Sequence, residues 1–212
     1  MRKLKMGIAG LGRLGKKHAE NIAFRVPNAE LLAVCSIKED EVEEAQKNWG
    51  IPFGYTNFKE MLNNKELEAA FIASSSTEHS KQIELALNAG LHVFSEKPLG
   101  ITREEVIYIA DIINKHKDKK FMLGFMRRFD PSYVYAKKKL DNGEIGKPIY
   151  IRCYSIDPIS AIDGAIAFSE KSGGLFLDMM IHDLDLSRWF SNSEAKTVFA
   201  VGDNYIYPEF EK

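Results

Sequence analysis

Leu4-Lys5-Met6-Gly7-Ile8-Ala9 runs straight into Gly10-Leu11-Gly12-Arg13-Leu14-Gly15, and Lys16-Lys17-His18-Ala19-Glu20-Asn21-Ile22-Ala23 follows. A G-x-G-x-x-G triplet alone says little, because glycine-rich turns occur in many α/β proteins. Here an apolar run precedes it and an amphipathic segment follows it, the strand–turn–helix context in which the motif binds a dinucleotide. Gly10 permits the tight turn, Gly12 lets a pyrophosphate approach the backbone, and Gly15 lets helix and strand pack closely. The unpaired N–H groups at the helix start then face the anion, with Arg13 and Leu14 in the same loop.

The bulk properties narrow the field. The 212 residues carry a formal net charge of −1, which argues against a nucleic-acid or membrane-surface partner, whose footprint is basic. No apolar run is long enough to span a bilayer, and Met1-Arg2-Lys3-Leu4-Lys5 leads into the glycine loop instead of a signal peptide's apolar core. The two cysteines, Cys35 and Cys153, each fall in a predicted strand and read as buried free thiols. A reducing, cytoplasmic setting fits them.

Strand and helix signals alternate through the first 124 residues. Leu31–Cys35, Phe53–Tyr55, Ala69–Ala73, Leu91–Phe94 and Phe121–Phe125 follow the opening strand. Helix signals lie between them, among them an acidic run from Lys38 to Lys47, a helix capped by Thr77 and closed by Gly90, and a capping box at Thr102-Arg103-Glu104-Glu105. Strands apolar throughout and separated by helices predict a parallel sheet covered on both faces. The fold class is therefore α/β, a Rossmann-type doubly wound sheet over residues 1–124, the dinucleotide-binding domain.

The rhythm changes after Phe125. Asp130-Pro131 is an N-cap with proline at the first helical position, and Gly143 closes that helix. Ile149–Ser155 alternates with period two, as a half-buried antiparallel strand does. A loop with Pro158, Gly164 and Gly173-Gly174, a helix from Leu175 to Phe190, and a strand at Thr197–Val201 complete the pattern. Residues 125–212 thus read as a partial α+β domain with a mostly antiparallel sheet, left incomplete because two strands are marginal in water.

Three further places offer chemistry. Glu96-Lys97-Pro98 follows the fifth strand, where an open sheet lines its ligand crevice. There Lys97 can donate to a substrate oxygen, Pro98 fixes the turn with a cis bond available to it, and a solvent-facing lysine is the plain alternative. Asp178 and His182 lie four apart on a helix and share a face. They suit proton transfer, histidine as base with the carboxylate behind it. They also suit two metal ligands or a surface ion pair, but no third ligand is evident and no metal is assigned. Finally, Ser74, Ser75 and His79 follow the fourth strand. His18, His92 and His116 carry no signal.

Taken in order, the glycine loop, Glu96-Lys97-Pro98, Gly124-Phe125-Met126-Arg127-Arg128-Phe129, Gly173-Gly174 and Asp178-x-x-x-His182-x-x-Asp185 resemble the glucose–fructose oxidoreductase and inositol dehydrogenase family across essentially the whole chain. The resemblance implies an NAD(P)-dependent oxidoreductase acting on a cyclic polyol or sugar. It makes Lys97, Asp178 and His182 catalytic, with Asp185 a structural support. It places Glu96, Arg127 and His79 at the cofactor and substrate cleft, and implies a homo-oligomer. The alternative is a truncated or regulatory dinucleotide-binding protein without activity.

Two departures bear on those expectations. Ser36 stands at the end of the second strand, where NAD-specific members carry an acid that repels a 2′-phosphate. With Arg13 or Lys38 as a positive partner, NADP becomes acceptable beside NAD. Family members also continue through further strands, so this polypeptide is expected to bind cofactor, turn over little polyol by itself and self-associate.

Overall fold

The fold is described from a computed structural model covering residues 2–211. Its strands are β1 (Leu4–Ala9), β2 (Ala29–Cys35), β3 (Phe53–Tyr55), β4 (Ala69–Ile72), β5 (His92–Glu96) and β6 (Phe121–Gly124). They form one sheet in the order β3-β2-β1-β4-β5-β6, every neighbouring pair parallel. All six carboxyl ends therefore share one edge. The strand order reverses between β1 and β4, where an open sheet leaves a crevice.

Both faces are covered, which is why β4, in the middle of the sheet, is apolar on every residue. β4 is buried throughout. On one face α1 (Arg13–Phe24) and α2 (Glu39–Trp49) supply Ala19, Ile22, Val42 and Ala45 against Ile8, Leu31, Val34 and Phe71. On the other, α3 (Phe58–Leu62), α4 (His79–Asn88) and α5 (Arg103–Lys115) supply Met61, Ile83, Leu87, Ile109 and Ile112 against Ala70, Ile72 and Val93. Burying a side chain of this size stabilises by about 1.5–3 kcal/mol before the entropy of ordering it is counted. Thr102 caps α5 by accepting from the Glu105 N–H at 3.2 Å, while the Glu105 carboxylate accepts from the Ile101 N–H at 2.8 Å. Thr77 caps no α-helix. It lies in a 3₁₀ turn, Ser76–Glu78, and α4 starts only at His79.

The chain divides into two compact units, Met1–Gly124 and Phe125–Lys212. In the second, Asp130 caps α6 (Pro131–Asp141), accepting from the Ser132 and Tyr133 N–H groups. The stretch read as a loop around Gly164 is helical, α7 (Ile162–Ser172). A mid-helix glycine costs only about 1 kcal/mol, and Gly173, at φ +79°, is the C-terminal cap and not part of a loop. The next helix begins as a π turn, Phe176–Met180, and becomes regular only as α8 (Ile181–Ser191).

Ile149–Ser155 and Thr197–Val201, read from their alternation as strands, form no ladder, and among the described residues the second unit has no strand. Alternation marks a segment that can be half-buried, but a strand also needs a neighbour for its backbone groups. Here Ile149 is 100% exposed. Cys153 is accordingly exposed, in contrast to the buried thiol expected, whereas Cys35 in β2 is buried. Among the described residues no helix is long and apolar enough to cross a membrane.

Candidate active site

The glycine loop joins β1 to α1 and each glycine has its own reason. Gly10 sits at φ +92°, with a side chain there meeting the Ala73 and Ser74 backbone at 2.5 Å. A Cβ on Gly15 would lie 1.9 Å from the Gly10 carbonyl oxygen, so helix and turn touch through bare backbone. Above Gly12 there is open space to 4 Å, and this residue is the N-cap of α1, with no side chain to cap it. Arg13 and the 41%-exposed Leu14 flank that opening. An uncapped helix start with a bare approach is a receptor for a phosphate group. The loop therefore fits a dinucleotide pyrophosphate.

At the end of β2, buried Ser36 donates its hydroxyl to Glu41 Oε2 at 2.6 Å and accepts from the Lys38 N–H at 3.3 Å. Lys38 Nζ in turn lies 3.2 Å from Glu41 Oε1. Glu41 carries no motif signal, because it reads as one more acid on a solvated helix face.

Beyond β4, the Ser74 hydroxyl donates to Gln82 Oε1 at 2.7 Å, and Ser75 faces the Thr77 hydroxyl at 3.2 Å. The Ser74 side chain is thus spent inside the protein. His79 is fully buried, its Nδ1 2.8 Å from the Pro98 carbonyl oxygen and its Nε2 3.2 Å from that of Ser74. It braces the turns after β4 and β5 against each other. Lys97 is half-buried at the end of β5, and the Lys97–Pro98 peptide is cis. Glu96 Oε1 pairs with His18 Nε2 at 2.8 Å, and the His18 ring packs 4.7 Å from that of Phe71. His18 therefore holds a residue of this turn, a role no pattern in the sequence disclosed.

The second unit contributes a separate cluster. Arg127 pairs with Asp183 and lies 3.4 Å from the Ser155 hydroxyl, which also donates to Asp183. Arg128 grips Asp185 with two bonds of 2.8 Å, so Asp185 serves as an anchor. Asp178 lies in the π turn and His182 in the first turn of α8, where it is buried with the Phe125 ring edge-on at 6.5 Å. π turns recur at functional sites because they re-aim side chains. A cavity of about 350 Å³ in this unit is lined by Arg127, Asp183, Tyr133, Tyr150, Tyr154 and Phe190. Asp183 went unremarked in the sequence because it stands between two motif residues with no spacing of its own.

Comparison with known proteins gives a consistent picture. A family model described as "Oxidoreductase family, NAD-binding Rossmann fold" matches residues 4–125, and one described as "GFO/IDH/MocA C-terminal domain" matches residues 133–211. Myo-inositol 2-dehydrogenase of Thermotoga maritima is 34% identical over 99% of this chain and 61% of its own length. The scyllo-inositol 2-dehydrogenase (NAD(+)) of Bacillus subtilis is 35% identical over 94% and 57% respectively. Among solved structures, scyllo-inositol dehydrogenase from Lactobacillus casei with bound NAD(H) and scyllo-inositol superposes with a TM-score of 0.92 at 47% identity. It covers 99% of this chain and 62% of its own. The chain thus spans about three-fifths of the length of these relatives.

Proposed function

The chain belongs to the GFO/IDH/MocA oxidoreductase family, and from that membership we propose that it transfers a hydride between a CH–OH group of an inositol-like cyclic polyol and a nicotinamide dinucleotide. The observation that carries this is the open, uncapped start of α1 at Gly12. The substrate class rests on the relatives, which are named for myo- and scyllo-inositol.

Gly10, Gly12, Arg13, Leu14 and Gly15 would hold the pyrophosphate, with Ser36 and Lys38 toward the adenosine ribose. Ser74, Ser75 and His79 follow β4 and Glu96 and Lys97 stand at the end of β5, on the cofactor side of the sheet, and the family resemblance adds Arg127. The oxidised nicotinamide supplies the hydride acceptor. The chain's own groups handle the oxygen and the proton. Lys97 donates to the reacting oxygen and favours its alkoxide. His182 takes the hydroxyl proton, for which an imidazole is suited near neutral pH. Asp178, four residues earlier, orients that imidazole and steadies its charged form.

Residues 1–124 serve as the dinucleotide domain and 125–212 as part of a substrate and oligomer domain. Ile149–Ser155 and Thr197–Val201 become strands of its mostly antiparallel sheet once each has a neighbour. A homo-oligomer in a reducing cytoplasm is consistent with the exposed apolar side chains of that unit and with two free thiols.

The test is inositol-dependent reduction of the dinucleotide by the whole protein. His182→Ala and Lys97→Ala should each lower kcat by about 10²–10⁴-fold, with dinucleotide affinity nearly unchanged for His182→Ala. Near wild-type turnover by either variant would remove the role given to that residue.

A further inference from the structure

A Rossmann-type sheet reads the adenosine ribose with an acid about twenty residues beyond the glycine loop, at the end of the second strand. Ser36 occupies that position here and has no charge. The carboxylate arrives by another route. Glu41, in the first turn of α2, folds back until Oε2 lies 2.6 Å from the Ser36 hydroxyl. Its side chain is only 16% exposed, and the helix N-terminus favours its negative charge.

We propose that Glu41 is the residue that selects the cofactor's ribose, and that it makes this chain prefer NAD over its 2′-phosphorylated counterpart. This rests on the dinucleotide reading above. Three features support it. First, Ser36 and Lys38 take up one lone pair on each carboxylate oxygen, and a carboxylate has about four acceptor sites, so capacity remains for both ribose hydroxyls. Second, Lys38 at this turn is paired with Glu41, so a 2′-phosphate would have to compete with that carboxylate for it. Glu39 and Asp40 add negative charge in the same helical turn, and a phosphate monoester carries a charge of about −1.5 to −2 at neutral pH. Third, Ile37, between Ser36 and Lys38, is 92% exposed. It offers an exposed apolar side chain on the same turn, of the kind an adenine ring can pack on.

Calorimetric titration of NAD and NADP against the folded wild-type chain should show NAD binding at least about tenfold more tightly. Glu41→Gln keeps the size but drops the charge and turns one acceptor oxygen into a donor amide, and should shrink that ratio by about tenfold. Ser36→Ala should shrink it less, since the carboxylate survives but loses its anchor. Adding Ser36→Asp to Glu41→Gln should restore it. If wild type binds NAD and the ratio does not move in Glu41→Gln, other residues read the ribose and Glu41 is overturned. The same holds if wild type prefers NADP. If folded wild type binds neither dinucleotide, the cofactor reading itself falls and this inference falls with it.

Discussion

Cys35 and Cys153 carry the same thiol into opposite surroundings. Burial in β2 pushes the Cys35 thiol up from 9.0 to about 12, with a smaller contribution from the Glu60 charge. In the unfolded chain that thiol ionises near its ordinary value. Between roughly pH 9 and 12 the native state therefore holds a proton that the unfolded state has released. Its contribution to stability is complete below pH 9 and declines as pH rises through that window, so the urea midpoint should fall there, and less so in Cys35→Ala. At neutral pH an aromatic disulfide reagent should label Cys153 at once and Cys35 only on denaturation. Equal rates for the two would contradict the burial of β2. The same scale shows what a sequence can and cannot disclose. The positions of Ser36 and Lys97 just past β2 and β5 were legible because strand ends are legible. Glu41, His18 and Asp183 were not, because each acts through a side chain that bends toward a partner distant in sequence, or toward a turn that periodicity does not encode.

Among the elements, the β1–α1 junction separates two kinds of glycine. Gly12→Ala meets nothing within 4 Å and keeps an ordinary φ of −67°. Stability should stay within about 0.5 kcal/mol of wild type, while affinity for NAD drops by about tenfold or more as the methyl enters the pyrophosphate's approach. Gly15→Ala drives a methyl into the Gly10 carbonyl and should cost about 1–3 kcal/mol or more of stability, visible in the thermal midpoint without any ligand. Were the two variants to behave alike, the division of labour within the loop would be wrong. The parallel sheet was readable because doubly buried strands are continuous apolar runs. Helix α7 was not, because Gly164 reads as a breaker although it only weakens a helix. Gly173, a terminator, reads as the same kind of signal.

On the scale of the molecule, the two units differ in how well they cover their apolar surface. The sheet of the first is buried from both sides. The second leaves Ile149, Val198, Phe199, Val201, Tyr205 and Ile206 exposed. The 212-residue chain should therefore self-associate as its concentration rises, and Phe199→Ser combined with Val201→Ser should reduce this in light scattering. A chain that stays monodisperse at every concentration would show that this surface is innocuous. The whole second unit was the hardest part to read, since its alternating segments signal a sheet whose pairing depends on neighbours that the pattern itself cannot supply.

The place of β1 in the sheet has a consequence for how the chain is made. β1 is the third strand of six, with β2 on one side and β4 on the other, yet it leaves the ribosome before the other five. It can pair with β2 early, but its other edge has no partner until Ile72 has emerged. At about 5–20 residues per second, Gly7-Ile8-Ala9 waits several seconds as a half-satisfied apolar edge. During that interval the nascent chain is most exposed to mispairing, and a chaperone that binds short extended apolar segments would find its target in the strand that runs directly into the glycine loop.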